Sequence, residues 1–404
     1  MAETRHLVAE RATFAGVMRD LGPQQFANGL IGFIFAATGP VAVVLTAASK
    51  GALASDQIAS WLFGCFFVNG LVTLVMTWTF RQPLSFFWTI PGTVLAGQAL
   101  SHLSFPEVVG AFYATSLLIL VLGATGLARR ALDWVPMPIV MGMVAGVFLR
   151  FGLDVVRALH GDPVLAWAML ATFLALSFSP RIARVAPPIL GALIVGLLLA
   201  LFTARIDTAA LGALTLAKPV LANASFSWAA IVELVVPLAI TVLVVQNGQG
   251  YAVLQAAGHT PPANAVTIAC GLGGIVSAAV GASGTCLTGP TNAILVSSGE
   301  QHRHYAGALV TGSLALLFGL FSPTFTRLML ATPKEFVMML GGLAMLRVLQ
   351  GAFVSSFRDK FSLGALASFL VTVADLPIFG IGAAFWGLVA GWAVSRLLER
   401  EQFS

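Results

Sequence analysis

The chain has 404 residues, of which 58% are hydrophobic and only 9% charged, whereas soluble domains carry about 25% charged residues. Water is therefore not its main solvent, which excludes a soluble enzyme, a disordered chain and a secreted disulfide scaffold. The net charge of +5 is spread over connecting segments rather than gathered into a basic stripe, so no nucleic-acid partner is expected.

Residues 1–25 are not a cleavable signal, because Glu3, Arg5, Glu10, Arg11, Arg19 and Asp20 interrupt any apolar run. Leu7, Val8, Phe14, Val17, Met18 and Leu21 recur at roughly helical spacing. They predict an amphipathic helix on the cytoplasmic membrane surface, with a charged tail as the alternative. Apolar runs, each expected to cross a bilayer in about 20 residues, then follow at roughly 26–48, 58–79, 86–103, 107–127, 136–156, 164–179 and 187–203. A polar periplasmic connection at about 204–225 leads to further runs at roughly 229–256, 263–281, 285–298, 304–322, 334–352, 362–375 and 378–397. The expectation is an all-α polytopic membrane protein with fourteen transmembrane segments. Placing the N-terminus inside puts roughly fourteen of the 21 Lys and Arg on the cytoplasmic side. A multi-pass protein of the bacterial inner (plasma) membrane, with both termini cytoplasmic, is predicted.

The two halves resemble each other. Pro136, Val140, Met141, Leu149 and Arg150 match Pro333, Val337, Met338, Leu346 and Arg347 at identical spacing. Thr89-Ile90-Pro91-Gly92-Thr93 is echoed by Thr288-Gly289-Pro290-Thr291-Asn292, and Pro188-Ile189-Leu190-Gly191 by Pro377-Ile378-Phe379-Gly380. Seven segments per copy force the second copy to enter from the opposite side, which is the inverted-repeat plan of secondary transporters. The repeats are 26–203 and 226–398. Arg150 and Arg347 lie deep in apolar runs, where each costs about 2.5–3.5 kcal/mol at a helix centre. Snorkelling to the headgroups at opposite faces is the preferred reading over a substrate role.

Segments three and ten are short and broken by Gly and Pro, the best pointer to a transporter site. Gln82–Trp88 and Gly281–Leu287 are unsuited to regular helix, and each precedes a Thr-x-Pro and a helix-compatible run. Proline suits the first turn of a helix, so each segment reads as extended chain followed by a half-helix. Facing N-termini at mid-membrane offer free N–H groups and partial positive charge, suited to a carboxylate. Thr93, Thr288, Thr291 and Asn292 add hydrogen-bonding side chains, beside Pro91, Gly92, Gly289 and Pro290. In segment eight, Gln246, Asn247 and Gln249 place three amides in hydrocarbon, where they must face the protein interior or a wet cavity. Segment one breaks at Thr38-Gly39-Pro40, near Phe33 and Phe35. Cys65, Cys270 and Cys286 lie in apolar stretches, and no spacing marks a metal or cofactor. The histidines fall in loops, tails or span ends, so no enzyme is expected.

The Ile-Pro-Gly-Thr of segment three (Ile90–Thr93), the Gln-Asn-Gly-Gln-Gly of segment eight (Gln246–Gly250) and the Thr-Gly-Pro-Thr-Asn of segment ten (Thr288–Asn292) resemble the BenE-type benzoate:proton symporters. The resemblance covers nearly the whole chain. That family is distantly similar to the uracil and nucleobase transporters, and the resemblance implies a core domain, 26–127 plus 229–322, and a gate domain, 136–203 plus 334–397. It implies alternating access, with benzoate or a related aromatic carboxylate between half-helices three and ten and segments one and eight alongside. Phe33, Phe35, Phe86, Phe87 and Trp88 are candidates for the ring. Uracil-type carriers place glutamates where Gln246 and Pro290 stand here, which suits an anion but removes the obvious proton carrier. Glu233, Asp154 and Asp375 lie nearer the outer ends, and no proton-coupling residue is assigned. A carrier for another small anion or a nucleobase is the main alternative, with a passive channel behind it. Homodimer formation is left open.

Overall fold

A computed structural model describes residues 12–127, 136–178, 188–203, 205–206, 212–297, 299–376, 378 and 383–403. The N-terminal expectation falls partly outside them, at residues 1–11. Beyond these, Thr13 caps α1 (Phe14–Asp20) by accepting a hydrogen bond from the Gly16 amide at 3.2 Å. Phe14 and Met18 remain exposed, the apolar face a surface-lying helix turns to lipid. Helices α2 (Pro23–Ala37) and α3 (Gly39–Lys50) form one 28-residue apolar run. It breaks at Thr38 (φ −102, ψ −99), just before Pro40, which has no N–H for the preceding turn. Next come α4 (Ser55–Phe80), strand β1 (Phe86–Trp88), α5 (Ile90–Ala99), α6 (Phe105–Thr125), α7 (Met137–Gly161), α8 (Pro163–Ser177) and α9 (Pro188–Phe202).

The second half holds α10 (Trp228–Ala256), α11 (Ala263–Ala279), strand β2 (Thr285–Leu287), α12 (Gly289–Leu295), α13 (His304–Leu320), α14 (Ser322–Leu330), α15 (Lys334–Phe357), α16 (Ser362–Ala374) and α17 (Ala383–Leu398). Helix α10 contains π-helical turns at Ile231–Val235 and Thr241–Asn247. By length and composition, six helices among the described residues are able to cross a membrane, or seven if the pair Gln301–Leu320 and Ser322–Leu330, bent by 72°, is one span. The other apolar helices are shorter. The run expected at roughly 304–322 is α13, which ends in a turn at Phe321; the short helix after it, with Pro323 in its first turn, was not expected.

Helices pack in two groups. In one, α6 lies on α11, α13 on α2 and α4, and α12 on α2 and α10. In the other, α7 packs on α15, α16 and α17, and α8 on α9. The groups meet where α3 packs on α15 and α5 on α7. Gly39 fits flush against Ala344 at the first of these contacts, where a Cβ has no room. Such small-residue approaches bring membrane helices together without polar glue. The connection after residue 212 crosses the end of the first group: the Val220 amide donates to Ser60 Oγ at 3.0 Å, Ala222 to the Ala279 carbonyl at 2.9 Å and Ser225 to the Pro106 carbonyl at 2.8 Å.

Strands β1 and β2 pair antiparallel, with Phe86 opposite Leu287, Phe87 opposite Cys286 and Trp88 opposite Thr285. The half-helices that follow run in opposite directions. Leu100, just past α5, packs on Gly51 at the far end of α3, while Leu295, the last residue of α12, packs on Gly307 beside Gln25 near the start of α2.

Candidate functional site

The two half-helix starts are built differently. The Thr89 amide extends the strand pairing to the Gly284 carbonyl at 3.0 Å, and the Thr288 amide to the Ser85 carbonyl at 3.2 Å. Thr89 Oγ1 then caps α5, accepting from the Gly92 amide at 3.1 Å and donating to Thr241 Oγ1 at 3.0 Å. Thr93 Oγ1 lies 2.8 Å from Ser283 Oγ. The first half-helix is thus capped by its own chain. The second has no side-chain cap, and at seven residues its dipole is small. Thr288 Oγ1 is buried with no hydrogen-bond partner among the described residues.

The amides also divide. Asn292, fully buried, accepts from the Ser85 amide at 3.0 Å and donates to the Ser85 carbonyl at 3.1 Å and the Thr288 carbonyl at 2.7 Å. Asn247 accepts from the Leu287 amide at 2.8 Å and donates to Cys270 Sγ at 3.5 Å. Both serve as backbone partners where each strand lacks a neighbour. Gln246 is 6% exposed and makes no hydrogen bond among the described residues.

A small cavity lies between the strand ends and α2–α3. Phe35, Ala36, Pro40, Phe87, Trp88, Ile90, Gln246, Thr288, Pro290 and Thr291 line it. Its volume is about 20 Å³, room for about one water, so any aromatic guest requires it to widen. The surface it exposes is apolar, and two buried polar atoms of its lining residues, Thr288 Oγ1 and Trp88 Nε1, have no hydrogen-bond partner among the described residues. Leaving a buried polar group unpaired costs about 1–3 kcal/mol, so both atoms are sites of uncompensated polarity beside the cavity.

Of the expected site residues, Gln246, Thr288, Pro290 and Thr291 meet at this cavity, with Phe35, Phe87 and Trp88 among the expected aromatics. Phe33 packs on Phe66 and Phe318 instead, at ring separations of 6.4 and 5.8 Å. Phe86 is fully buried in the cluster with Met76 and Cys286. Thr38 donates to the Phe35 carbonyl at 3.1 Å. Gly92 fits under Leu238 and Thr241, Gly289 lies against Gln249, and Pro91 and Thr93 sit buried in the first turns of α5. Ala36 and Ile90 also line the cavity. Ile90 lies in the Ile-Pro-Gly-Thr run of segment three, whereas Ala36 is signalled only by its neighbours Thr38-Gly39-Pro40.

A titratable pair lies in the same helix group. Glu233, 5% exposed in the first π-helical turn of α10, lies 2.9 Å from His102 Nε2 just past the end of α5. At the other end of that group His259 Nε2 and His304 Nδ1 are 3.1 Å apart. Burial, and then the charge of His304, push the His259 imidazole down to about 4. Among the described residues no cluster of three or more His, Cys, Asp or Glu has metal-binding geometry.

Known proteins share both sequence and fold. The family model BenE, benzoate membrane transport protein, matches residues 19–397. The chain is 31% identical to inner membrane protein YdcO of Escherichia coli, over 91% of this chain and 94% of that one. It is 28% identical to the benzoate membrane transport protein of Acinetobacter baylyi, over 93% and 95%. The fold is similar to the transmembrane domain of a cyanobacterium bicarbonate transporter, BicA, with TM-score 0.61 and 16% identity, covering 94% of this chain and 98% of that chain. It is also similar to SLC26A9, with TM-score 0.64 and 14% identity over 94% and 65% of the two chains. The family match covers nearly the whole chain, so the protein is a membrane transporter rather than an enzyme, and it belongs to the BenE family of benzoate membrane transport proteins.

Proposed function

We propose that this membrane transporter imports benzoate or a similar aromatic carboxylate together with a proton, by alternating access. The observation that carries the proposal is the apolar cavity at the ends of β1 and β2, with Gln246, Thr288 and Trp88 around it and Thr288 Oγ1 and Trp88 Nε1 buried beside it without partners among the described residues. Gln246 Nε2, Thr288 Oγ1 and Trp88 Nε1 are donors for carboxylate oxygens. Phe35, Phe87, Ile90 and Pro40 offer an apolar wall for the ring. The lining has no fixed cation, so the anion is held by neutral donors. The expected residues outside this lining act as support: Asn247 and Asn292 hold the strands, Pro91, Gly92 and Thr93 shape α5, Thr38 and Gly39 shape the break in segment one, and Gln249 and Gly289 set the approach of α10 to α12. Phe33 backs Phe66.

The reading extends to fourteen segments in two inverted repeats, with 26–127 plus 229–322 as the core, 136–203 plus 334–397 as the gate, and both termini cytoplasmic. The opposed half-helices and the two packing groups support it. Moving a lone anion inward against an inside-negative potential costs about 2.3 kcal/mol per 100 mV. One proton per carboxylate cancels that charge. Glu233 paired with His102 is the titratable site offered for proton handling, because it joins α10 to the end of α5 within the moving core.

Uptake of labelled benzoate into proteoliposomes, with acid outside, is the test. Faster uptake under the gradient and competition by substituted benzoates are expected. Unchanged uptake removes proton coupling, and competition by uracil or sulfate alone moves the substrate class. Glu233→Gln is expected to abolish acceleration by the gradient while leaving benzoate exchange intact.

A further inference from the structure

A second pocket sits directly above the central cavity. It has a volume of about 190 Å³ and is lined by Val43, Thr46, Ala47 and Lys50 of α3, Val94 and Gly97 of α5, and Arg150, Phe151, Asp154 and Arg157 of α7. The central cavity takes Pro40 from α3 and Ile90 from α5. The upper pocket takes Val43 and Val94, each about one helix turn or 5 Å further along the same helices. The two spaces are therefore stacked along one seam, with the upper one between the helix groups at the Lys50 end.

Its polar wall is cationic. Arg157 Nη1 bonds Asp154 at 3.0 Å, and Arg150 pairs with Asp375. Lys50 is exposed and has no salt-bridge partner among the described residues. Three cations against two carboxylates leave a net positive pocket. Each arginine keeps further N–H donors once a single carboxylate is bound. The Thr46 hydroxyl is spent on the Ala42 carbonyl at 2.8 Å, and Asp154 opposes an anion, so the attraction comes from Lys50 and the two guanidinium groups. The preferred expectation for Arg150, a free snorkel to headgroups, is replaced by a paired arginine facing a pocket between α3, α5 and α7.

We propose that this pocket is an entry site for carboxylate anions, which Lys50, Arg150 and Arg157 capture before the guest descends to Gln246 and Thr288. It deepens, and rests on, the proposed carriage of an aromatic carboxylate. The central cavity lacks a cation, so the long-range attraction that steers a charged guest must come from elsewhere. This pocket supplies it on the seam that leads inward. The phosphate of an anionic lipid shares the chemistry, and the experiment separates the two.

Benzoate uptake is measured for wild type, Lys50→Gln and Arg157→Gln in neutral-lipid proteoliposomes at low and high ionic strength. The expected result is a KM raised about 3- to 10-fold in each variant at low salt, with kcat moved less than about twofold. The difference from wild type shrinks at high salt. In parallel, acylation of Lys50 by an impermeant active ester is followed by mass spectrometry on the full chain in detergent. Benzoate should protect Lys50, and neutral benzamide at matched ionic strength should not. Wild-type KM in both variants overturns the proposal while leaving benzoate transport standing. If wild type takes up no benzoate, the functional reading fails, and Lys50 protection by benzoate still decides whether the pocket binds carboxylates. Protection by phosphatidylglycerol but not by benzoate identifies a lipid site and overturns it.

Discussion

Replacing Gln246 and Asn292 by leucine separates binding from architecture. Asn292→Leu removes three hydrogen bonds, of 3.0, 3.1 and 2.7 Å, and strands the Ser85 amide. At about 1 kcal/mol for each bond, and about 1–3 kcal/mol for each buried group left unsatisfied, the loss is about 3–6 kcal/mol. Gln246→Leu removes no intramolecular bond and conserves most of the volume, so stability should change by less than about 1 kcal/mol. It does remove a donor to a charged guest, which costs about 1.5–3 kcal/mol of affinity, or about 10- to 150-fold in Kd. Thermal unfolding in detergent, with and without benzoate, and equilibrium binding of labelled benzoate read the two effects separately. Wild-type affinity in Gln246→Leu, or destabilisation of that variant equal to Asn292→Leu, refutes the assignment.

The two threonines give a second contrast. Thr288→Val should weaken benzoate binding about 5- to 20-fold with little change in stability, whereas Thr89→Val should cost about 1 kcal/mol of stability through the lost cap, as unfolding midpoints will show. The His259 imidazole is held at about 4 in the folded chain against an ordinary 6.5. The unfolded chain therefore binds more protons between those values, and stability should fall by up to about 3 kcal/mol as pH drops from 6.5 toward 4. His259→Gln should flatten that slope in unfolding scans. Burial acts to raise the Asp20 carboxyl, but hydrogen bonds from Tyr305, Arg19 and Arg81 outweigh it and hold it below the usual range. Its contribution is present above the unfolded carboxylate value and is lost as pH falls through the lower folded one. Asp20→Asn should cost about 2 kcal/mol at neutral pH and almost nothing in acid.

Local chemistry was the legible part. Thr-x-Pro at Pro91 and Pro290 marked where extended chain turns into half-helix, because proline belongs in a first turn, and at the first of them Thr89 also caps the helix. Thr38-Gly39-Pro40 likewise marked the break between α2 and α3. What the sequence hid depends on rotation and on distant partners. Gln246 and Asn247 are neighbours, yet one faces the cavity and the other the Leu287 amide. Both lie in a π-helical turn, Thr241–Asn247, which no residue pattern announces and which shifts the register of faces beyond it. The bonds of Asn292 to Ser85, 207 positions away, could not be read from its own neighbourhood. Arg150 looked like a lipid-facing cation for the same reason, with Asp375 225 positions distant. The short helix α14 after the turn at Phe321 went unread, because at nine residues it is too short to register as a span.

Electron cryomicroscopy of the transporter with 4-iodobenzoate, whose iodine marks the ring unambiguously, tests the central claim most directly. The carboxylate should lie against Gln246 Nε2, Thr288 Oγ1 and Trp88 Nε1, with the ring on Phe35 and Phe87 in a widened cavity. Ligand density away from the β1–β2 ends, with Gln246 and Thr288 still unmatched, would contradict it.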